Sequence, residues 1–333
     1  MNLATTYMGL TLKHPIAASA SPLSGGLDSI KSLEDGGAAA IVMPSLFEEK
    51  VRCDNELFSD LMELGTHCYA ESLHYFGKTD MWQADAENYL DLLRRASAAV
   101  DLPVIASLNC VTRTGWAEYA RQMQQAGAAG IELNIYAVES DMDIRGAAVE
   151  QRYLDIVADV KASVAIPIAV KLSPLFSAMG NMAKRLDQAG ADALVLFNRF
   201  YQPDIDVQSL RATPFFGLSQ GSEIRLPLLW MALLHGKLSA SLAATRGVET
   251  HEEVVKYLLA GADVVMVASA LLRNGPGYTA TLLDGLKKWM AARGFASVGQ
   301  FRGAMSQGKA DNPGAFQQAN CARVLGESLC GCA

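Results

Sequence analysis

The stretch Pro167-Ile168-Ala169-Val170-Lys171-Leu172-Ser173-Pro174 decides how this chain is read. A short apolar run of this kind is what a strand buried on both faces looks like. This one ends on a charge. Seven similar runs flank it, at Pro15–Ala20, Ala39–Met43, Val104–Leu108, Gly130–Asn134, Ala193–Phe197, Ser241–Ala244 and Val264–Ala268. Longer amphipathic patterns lie between them, among them Trp116–Ala126, Val149–Ala162, Asn181–Ala189 and His251–Ala260. Several end in a Gly-Ala step: Gly37-Ala38, Gly127-Ala128, Gly190-Ala191 and Gly261-Ala262. Glycine just past a helix is the expected C-terminal cap.

Eight strands with helical crossovers fit an open doubly wound sheet or a closed barrel. The count of eight and the even spacing select an α/β fold of the (β/α)8 TIM-barrel type, one domain over residues 1–333. No G-x-G-x-x-G fingerprint follows the first strand, which counts against a dinucleotide-binding sheet. Thr5–Tyr7 and Leu10–Leu12, with Gly9 in the turn, predict an N-terminal β-hairpin that plugs the N-terminal mouth of the barrel. Two insertions exceed a plain barrel: Ser45–Asn88 after strand two and Arg199–Glu223 after strand six. Both follow strand C-termini, the face where barrels build sites. The histidines and aromatics of the first (His67, Tyr69, His74, Tyr75, Phe76 and Trp82) suggest a lid over a ligand.

Half of the 333 residues are hydrophobic and 19% are charged, so a large core is easily supplied. The net charge of −7 disfavours nucleic acid, which needs a basic face. No apolar run reaches the roughly 18–20 residues that span a bilayer. The N-terminus has no basic, then apolar, leader pattern. Six scattered cysteines (Cys53, Cys68, Cys110, Cys321, Cys330 and Cys332) read as reduced thiols of a cytoplasmic protein without a metal site.

The strand ends carry the chemistry. Strand four closes Glu132-Leu133-Asn134, strand five Val170-Lys171-Leu172-Ser173-Pro174, and strand six Phe197-Asn198-Arg199. Lys171 would put an ammonium into the barrel mouth, which is costly unless an anion meets it. That partner is either a ligand or Glu132. Strands seven and eight run into Thr245-Arg246-Gly247-Val248 and Ala268-Ser269-Ala270. Barrels commonly bind phosphate on these two loops.

Glu132-Leu133-Asn134, Val170-Lys171-Leu172-Ser173-Pro174, Gly217-Leu218-Ser219 and Gly261-Ala262-Asp263…Ser269-Ala270-Leu271 resemble the FMN-dependent dihydroorotate dehydrogenases, class 1 type. The likeness runs over nearly the whole chain. Leu133-Asn134-Ile135-Tyr136 and Leu196-Phe197-Asn198-Arg199-Phe200-Tyr201-Gln202-Pro203-Asp204 are most similar to a bacterial dihydroorotate dehydrogenase-like branch. The resemblance implies an FMN-dependent oxidoreductase of pyrimidine biosynthesis and a homodimer. It implies that Lys171 lies against the pyrimidine edge of the flavin and that Asn134 and Asn198 hold flavin or substrate. Ala20 and Ser45 would touch the ring system. Ser219, Thr245, Arg246, Gly247, Ala268 and Ser269 would complete the cofactor site.

Departures fall on the substrate side. Where the family places a Cys or Ser base after strand four, this chain has Ala137, and Glu139 replaces a second asparagine. Pro44 stands where a lysine is frequent, and Arg199 where a small residue is. Tyr136, Glu139, Cys110 and His67 are the candidate replacements for the base, and Glu139, Asn198, Arg199 and His67 the candidate substrate contacts. A small anionic substrate with a carboxylate for Arg199 fits better than dihydroorotate. The electron acceptor is unassigned. Two other readings stay open: a Schiff-base lysine enzyme of aldolase type using Lys171, and a flavin-binding protein without dihydroorotate turnover.

Overall fold

The computed structural model describes residues 1–48, 86–136, 139–198, 203–214, 217–310 and 313. Eight parallel strands close a barrel: β3 (Ile16–Ala18), β4 (Ile41–Phe47), β5 (Val104–Asn109), β6 (Gly130–Asn134), β7 (Ile168–Leu172), β8 (Ala193–Leu196), β11 (Ser241–Ala244) and β12 (Val264–Val267). Closure comes from β12 pairing with β3, Val265 opposite Ile16. The crossover helices include α1 (Leu27–Asp35), α2 (Ala86–Ala99), α3 (Arg113–Gln125), α4 (Gly146–Ser163), α5 (Met179–Gln188), α6 (Arg225–Leu234) and α7 (His251–Ala260). Next come the short α8 (Ser269–Asn274) and then α9 (Tyr278–Ala292). The expected α/β barrel is the observed fold.

Two apolar layers explain why the runs are continuous rather than alternating. Outward-facing Ile41, Met43, Leu108, Leu133, Val170, Leu172 and Leu194 pack under the helices. Inward-facing residues are small at Ala17, Ala169, Ala193 and Ala243 and larger at Val42, Ile105, Val195 and Met266. The hairpin β1 (Thr5–Tyr7) and β2 (Leu10–Leu12) turns at Met8 and Gly9, with φ of +51° and +76°. Its Tyr7, Met8 and Leu12 join the inner layer. Met8 sits where a side chain on Gly130 would otherwise be, since a Cβ there would lie 2.3 Å from Met8 Cε. The plug expected from sequence is therefore built. Its polar anchors are Thr5 Oγ1 donating to the Asp263 carbonyl at 2.8 Å and the Met8 N–H donating to Ser241 Oγ at 3.2 Å.

The structure revises two boundaries. Strand β4 runs on to Phe47 through an irregularity between Val42 and Ser45, so Ser45 is a strand residue and not the start of an insertion. The second insertion holds an antiparallel hairpin, β9 (Pro203–Asp206) and β10 (Arg211–Pro214), which the sequence reading did not anticipate. The Gly-Ala steps cap as expected: Gly37, Gly127, Gly190 and Gly261 all have positive φ. No helix among the described residues is long and apolar enough to cross a membrane.

Candidate active site

Strand alternation decides which side chains reach the lumen. On β6, Glu132 and Asn134 point inward between the outward Ile131 and Leu133; on β7, Ala169 and Lys171 do so. Register sets Asn134 opposite Lys171. Lys171 is 9% exposed and its Nζ donates to Glu132 Oε1 at 3.1 Å; Glu132 is 1% exposed. The ammonium thus has its partner below it in the barrel, and Glu132 Oε2 has none.

A chain of polar groups rims the same mouth. Asn198 Nδ2 donates to Asn134 Oδ1 at 2.5 Å, and Asn134 Nδ2 donates to Ser45 Oγ at 3.1 Å. Ser45 Oγ lies 2.8 Å from Ser107 Oγ. Ser107 is held in turn by Tyr89, whose hydroxyl lies 3.0 Å from its N–H and 3.3 Å from its carbonyl oxygen. Linked this way, the two amides have fixed orientations across three strands, which is what positioning a planar ligand requires. Ala20 stands above β3 against the inner layer.

The second half of the site is on the loops after β11 and β12. Arg246 and Gly247 both have positive φ, +77° and +67°, an uncommon state for arginine and a sign of stored local strain. A Cβ on Gly247 would lie 2.7 Å from the Ile224 nitrogen, so only glycine fits. The Tyr257 hydroxyl lies 2.9 Å from both the Thr245 and Arg246 carbonyl oxygens and secures the turn from behind. Thr245 Oγ1 donates to the Phe197 carbonyl at 2.6 Å. The Ser219 N–H and hydroxyl both donate to Ser269 Oγ, at 3.0 and 2.9 Å, and the Gly247 N–H donates to Ser219 Oγ at 3.3 Å. Ser269 opens α8, directly after Ala268. Arg246 Nη2 pairs with Glu223 Oε2 at 2.5 Å, while its Nε is buried without a partner. Buried donors are nearly always satisfied, so this nitrogen marks a place for an acceptor. A phosphate oxygen meets that need, and the next residue, Gly247, ties this loop to the Ser219 and Ser269 hydroxyls.

Other expected site residues are placed differently. Cys110 lies in the outer apolar layer. Burial, and then the Glu48 carboxylate, push its thiol well above the ordinary range, so it holds its proton and makes a poor base. The alternation that turns Ile105 and Ser107 inward gives that direction to Asn109, a buried mouth residue that the sequence reading missed. Glu139 is turned toward α4, where it pairs with Arg152 at 2.9 Å, and is not directed into the lumen. Tyr136 is half-buried, two residues past Asn134. His67, Ala137 and Arg199 lie outside the described residues. Pro44 sits in the irregular part of β4.

Glu48, also missed, is 6% exposed and sits at the end of β4. It accepts from the N–H groups of Val111 and Thr112 at 2.8 Å each and from Thr112 Oγ1 at 2.5 Å. It therefore caps α3 from the neighbouring strand. A cavity of about 430 Å3 opens at the opposite, strand-N-terminal end, lined by Thr5, His235, Asp263 and Arg302 among others. Its Arg302 and Asp263 are paired with each other, and the hairpin separates it from the lumen.

Fold and mouth together define a barrel enzyme with a buried ammonium, an amide rim and a strained, glycine-containing turn after β11 hydrogen-bonded to Ser219. The family model for dihydroorotate dehydrogenase matches residues 60–290, and the chain belongs to that family, whose members are flavin-dependent oxidoreductases acting on CH–CH donors. Among relatives, the catalytic subunit of dihydroorotate dehydrogenase B (NAD(+)) of Thermoplasma acidophilum is 24% identical over 310 residues, 89% of this chain and 96% of that protein. The protein of the same name from Methanothermobacter thermautotrophicus is 26% identical over 309 residues, 90% and 97% of the two chains. A subunit of the NAD-dependent dihydropyrimidine dehydrogenase of Escherichia coli is 24% identical over 323 residues, 91% of this chain and 76% of that protein.

Proposed function

We propose that this chain is an FMN-dependent oxidoreductase whose cofactor half follows its family and whose substrate is a small anion other than dihydroorotate. Arg246 Nε, buried without a partner among the described residues, in a strained loop that Gly247 joins to the Ser219–Ser269 hydroxyl pair, is the observation that carries the cofactor half. Those groups and the Gly247 backbone would hold the FMN phosphate. Lys171 and the Asn134–Asn198 amides would face the ring, and Ala20 and Ser45 would flank it. Bound there, FMN would take a hydride from a saturated carbon–carbon bond of the substrate.

The chain's own residues supply the rest. Lys171 places positive charge at the rim, where it favours electron-rich ligands. The hydrogen-bonded chain from Asn198 to Ser107 fixes the orientation of its donors and acceptors. A proton must leave the substrate as the hydride does. Ala137 has no group to take it, and Tyr136 is the side chain proposed for that task. Arg199, with Asn198, would select a carboxylate. A lysine serving as a Schiff-base nucleophile needs an amine free to attack, whereas Lys171 Nζ is engaged with Glu132 at 3.1 Å. The exposed Ile205, Val207 and Leu210 of the β9–β10 hairpin suit the homodimer that the resemblance implies.

The test is direct. Purified protein should carry yellow flavin that denaturation releases as FMN. Colourless protein that takes up no added FMN would sink the cofactor assignment. Anaerobic dihydroorotate should leave the absorbance unchanged; bleaching would show that Ala137 does not prevent turnover of that substrate. Borohydride trapping of Lys171 with a carbonyl compound would restore the aldolase reading.

A further inference from the structure

Among the described residues, the barrel interior holds two buried polar atoms without a hydrogen-bond partner: the Tyr7 hydroxyl and Glu132 Oε2. Both belong to one compartment. The hairpin tip seats Met8 against Gly130 at the floor of the lumen, and Glu132 is the next inward position on that strand. Tyr7, 1% exposed, is Met8's neighbour and packs in the inner layer. Ala17, Ala169, Ala193 and Ala243 belong to the same inner layer as Tyr7, and their side chains are small. Burial, followed by the Glu132 and Asp263 carboxylates, holds the Tyr7 phenol well above its ordinary pKa, so it keeps its proton and can donate. Asp263 is engaged elsewhere, accepting from the Leu242 N–H at 2.8 Å and pairing with Arg302. Lys171 is already bound to the other Glu132 oxygen.

We propose that Tyr7 and Glu132 Oε2 share one internal water, and that Tyr7 is thereby a positioning residue which holds Glu132 as the anchor of Lys171 at the ligand face. A buried donor and a buried acceptor in one polar compartment, neither met by a protein group, are the setting in which internal waters occur. The hairpin is then more than a stopper. It completes the hydrogen bonding of the carboxylate that fixes the ammonium at the opposite end of the lumen. The Lys171 part of this inference rests on the flavin reading above; the water site does not.

The test uses the full chain in three arms. A crystal structure at a resolution that shows ordered waters should place one within hydrogen-bond distance of Tyr7 Oη and Glu132 Oε2. A dry compartment, or a Tyr7 hydroxyl bonded elsewhere, overturns the proposal. Tyr7→Phe, which keeps the ring, should lower the urea midpoint, because the carboxylate loses a donor. The loss should disappear in a Glu132→Gln background. An isolated hydroxyl predicts the opposite sign, since removing an unsatisfied buried group stabilises. Should Glu132→Gln fail to fold, the sign of the single Tyr7→Phe change still decides. Finally, Tyr7→Phe should weaken FMN binding about tenfold, the worth of one hydrogen bond to a charged group. That loss should be absent in the Glu132→Gln background. An equal loss in both backgrounds would mark a packing effect and would refute the positioning role. A wild-type chain that binds no FMN fails the flavin reading alone and leaves the first two arms decisive for the water.

Discussion

Replacing Lys171 with methionine should cost the fold far more than a surface charge would. The ammonium lies 3.1 Å from Glu132 Oε1, with side-chain exposures of 11% and 1%. At an effective dielectric near 20, a pair at that distance attracts by about 5 kcal/mol. Lys171→Met keeps the length and apolar stem of the side chain but leaves a buried carboxylate without its cation. Removing one member of such a pair costs about 3–5 kcal/mol. Urea unfolding at pH 7 should show that loss as a lower midpoint at unchanged slope. The double variant Lys171→Met, Glu132→Leu should recover most of the stability, since apolar replacement of both partners is often neutral or better. It should nevertheless remain unable to bind FMN tightly. A Lys171→Met protein within about 1 kcal/mol of wild type would mean that Glu132 is not a stranded charge and that the ion pair does not organise the lumen.

His14 predicts a pH dependence of stability. It is 3% exposed, with Nε2 at 2.7 Å from the Gly37 carbonyl oxygen and the Ile16 N–H donating to Nδ1, and burial lowers its pKa from 6.5 to about 4 against the opposing pull of the Gly37 hydrogen bond. The unfolded chain therefore protonates first: the His14 contribution is complete above pH 6.5 and falls by about 3 kcal/mol as the pH drops to 4. Urea midpoints for wild type and His14→Gln should converge over that window, and parallel curves would contradict the assignment. Gly247→Ala forces a side chain onto the Ile224 nitrogen at positive φ, so a loss of about 1–3 kcal/mol and of FMN affinity is expected by calorimetry; normal FMN binding would remove the loop from the cradle. Glu48→Gln should cost about 1.5–3 kcal/mol by weakening the acceptor for three donors at the start of α3, and a change below about 0.5 kcal/mol would show that the cap is dispensable.

The eight strands were legible because each apolar run is one strand long and because glycine marks nearly every helix exit. Gly130–Asn134 and Ser241–Ala244 coincide with their strands to the residue. The Lys171–Glu132 pair was open to a sequence reading because both residues end apolar runs on adjacent strands. Cys110 is not placed by its nearness to a strand end, which says nothing of parity: Ile105 and Ser107 set the inward phase, and a residue of opposite phase packs under the helices. Ser45 reads as loop because an irregularity in register lets β4 run past Pro44, which no local pattern announces. Glu48 capping α3 and Tyr7 beneath Glu132 depend on contacts between distant segments, so neither leaves a periodic trace. Glu139 looked like a substrate contact until Arg152, thirteen residues on, was seen to hold it.

The hairpin that floors the lumen also sets a schedule. Residues Thr5–Leu12 leave the ribosome before any barrel strand exists, yet the partner of Thr5 is Asp263, 258 positions later. Tyr7, Met8 and Leu12 must therefore wait, exposed, until Val264–Val267 pairs with Ile16–Ala18 and the ring is complete. Contacts of such sequence separation are slow to form and leave apolar surface uncovered meanwhile. A segment synthesised ahead of every barrel strand is thus among the last to be buried. A bulky fusion just ahead of it would be felt in the yield of folded protein before it was felt in the chemistry at the far mouth.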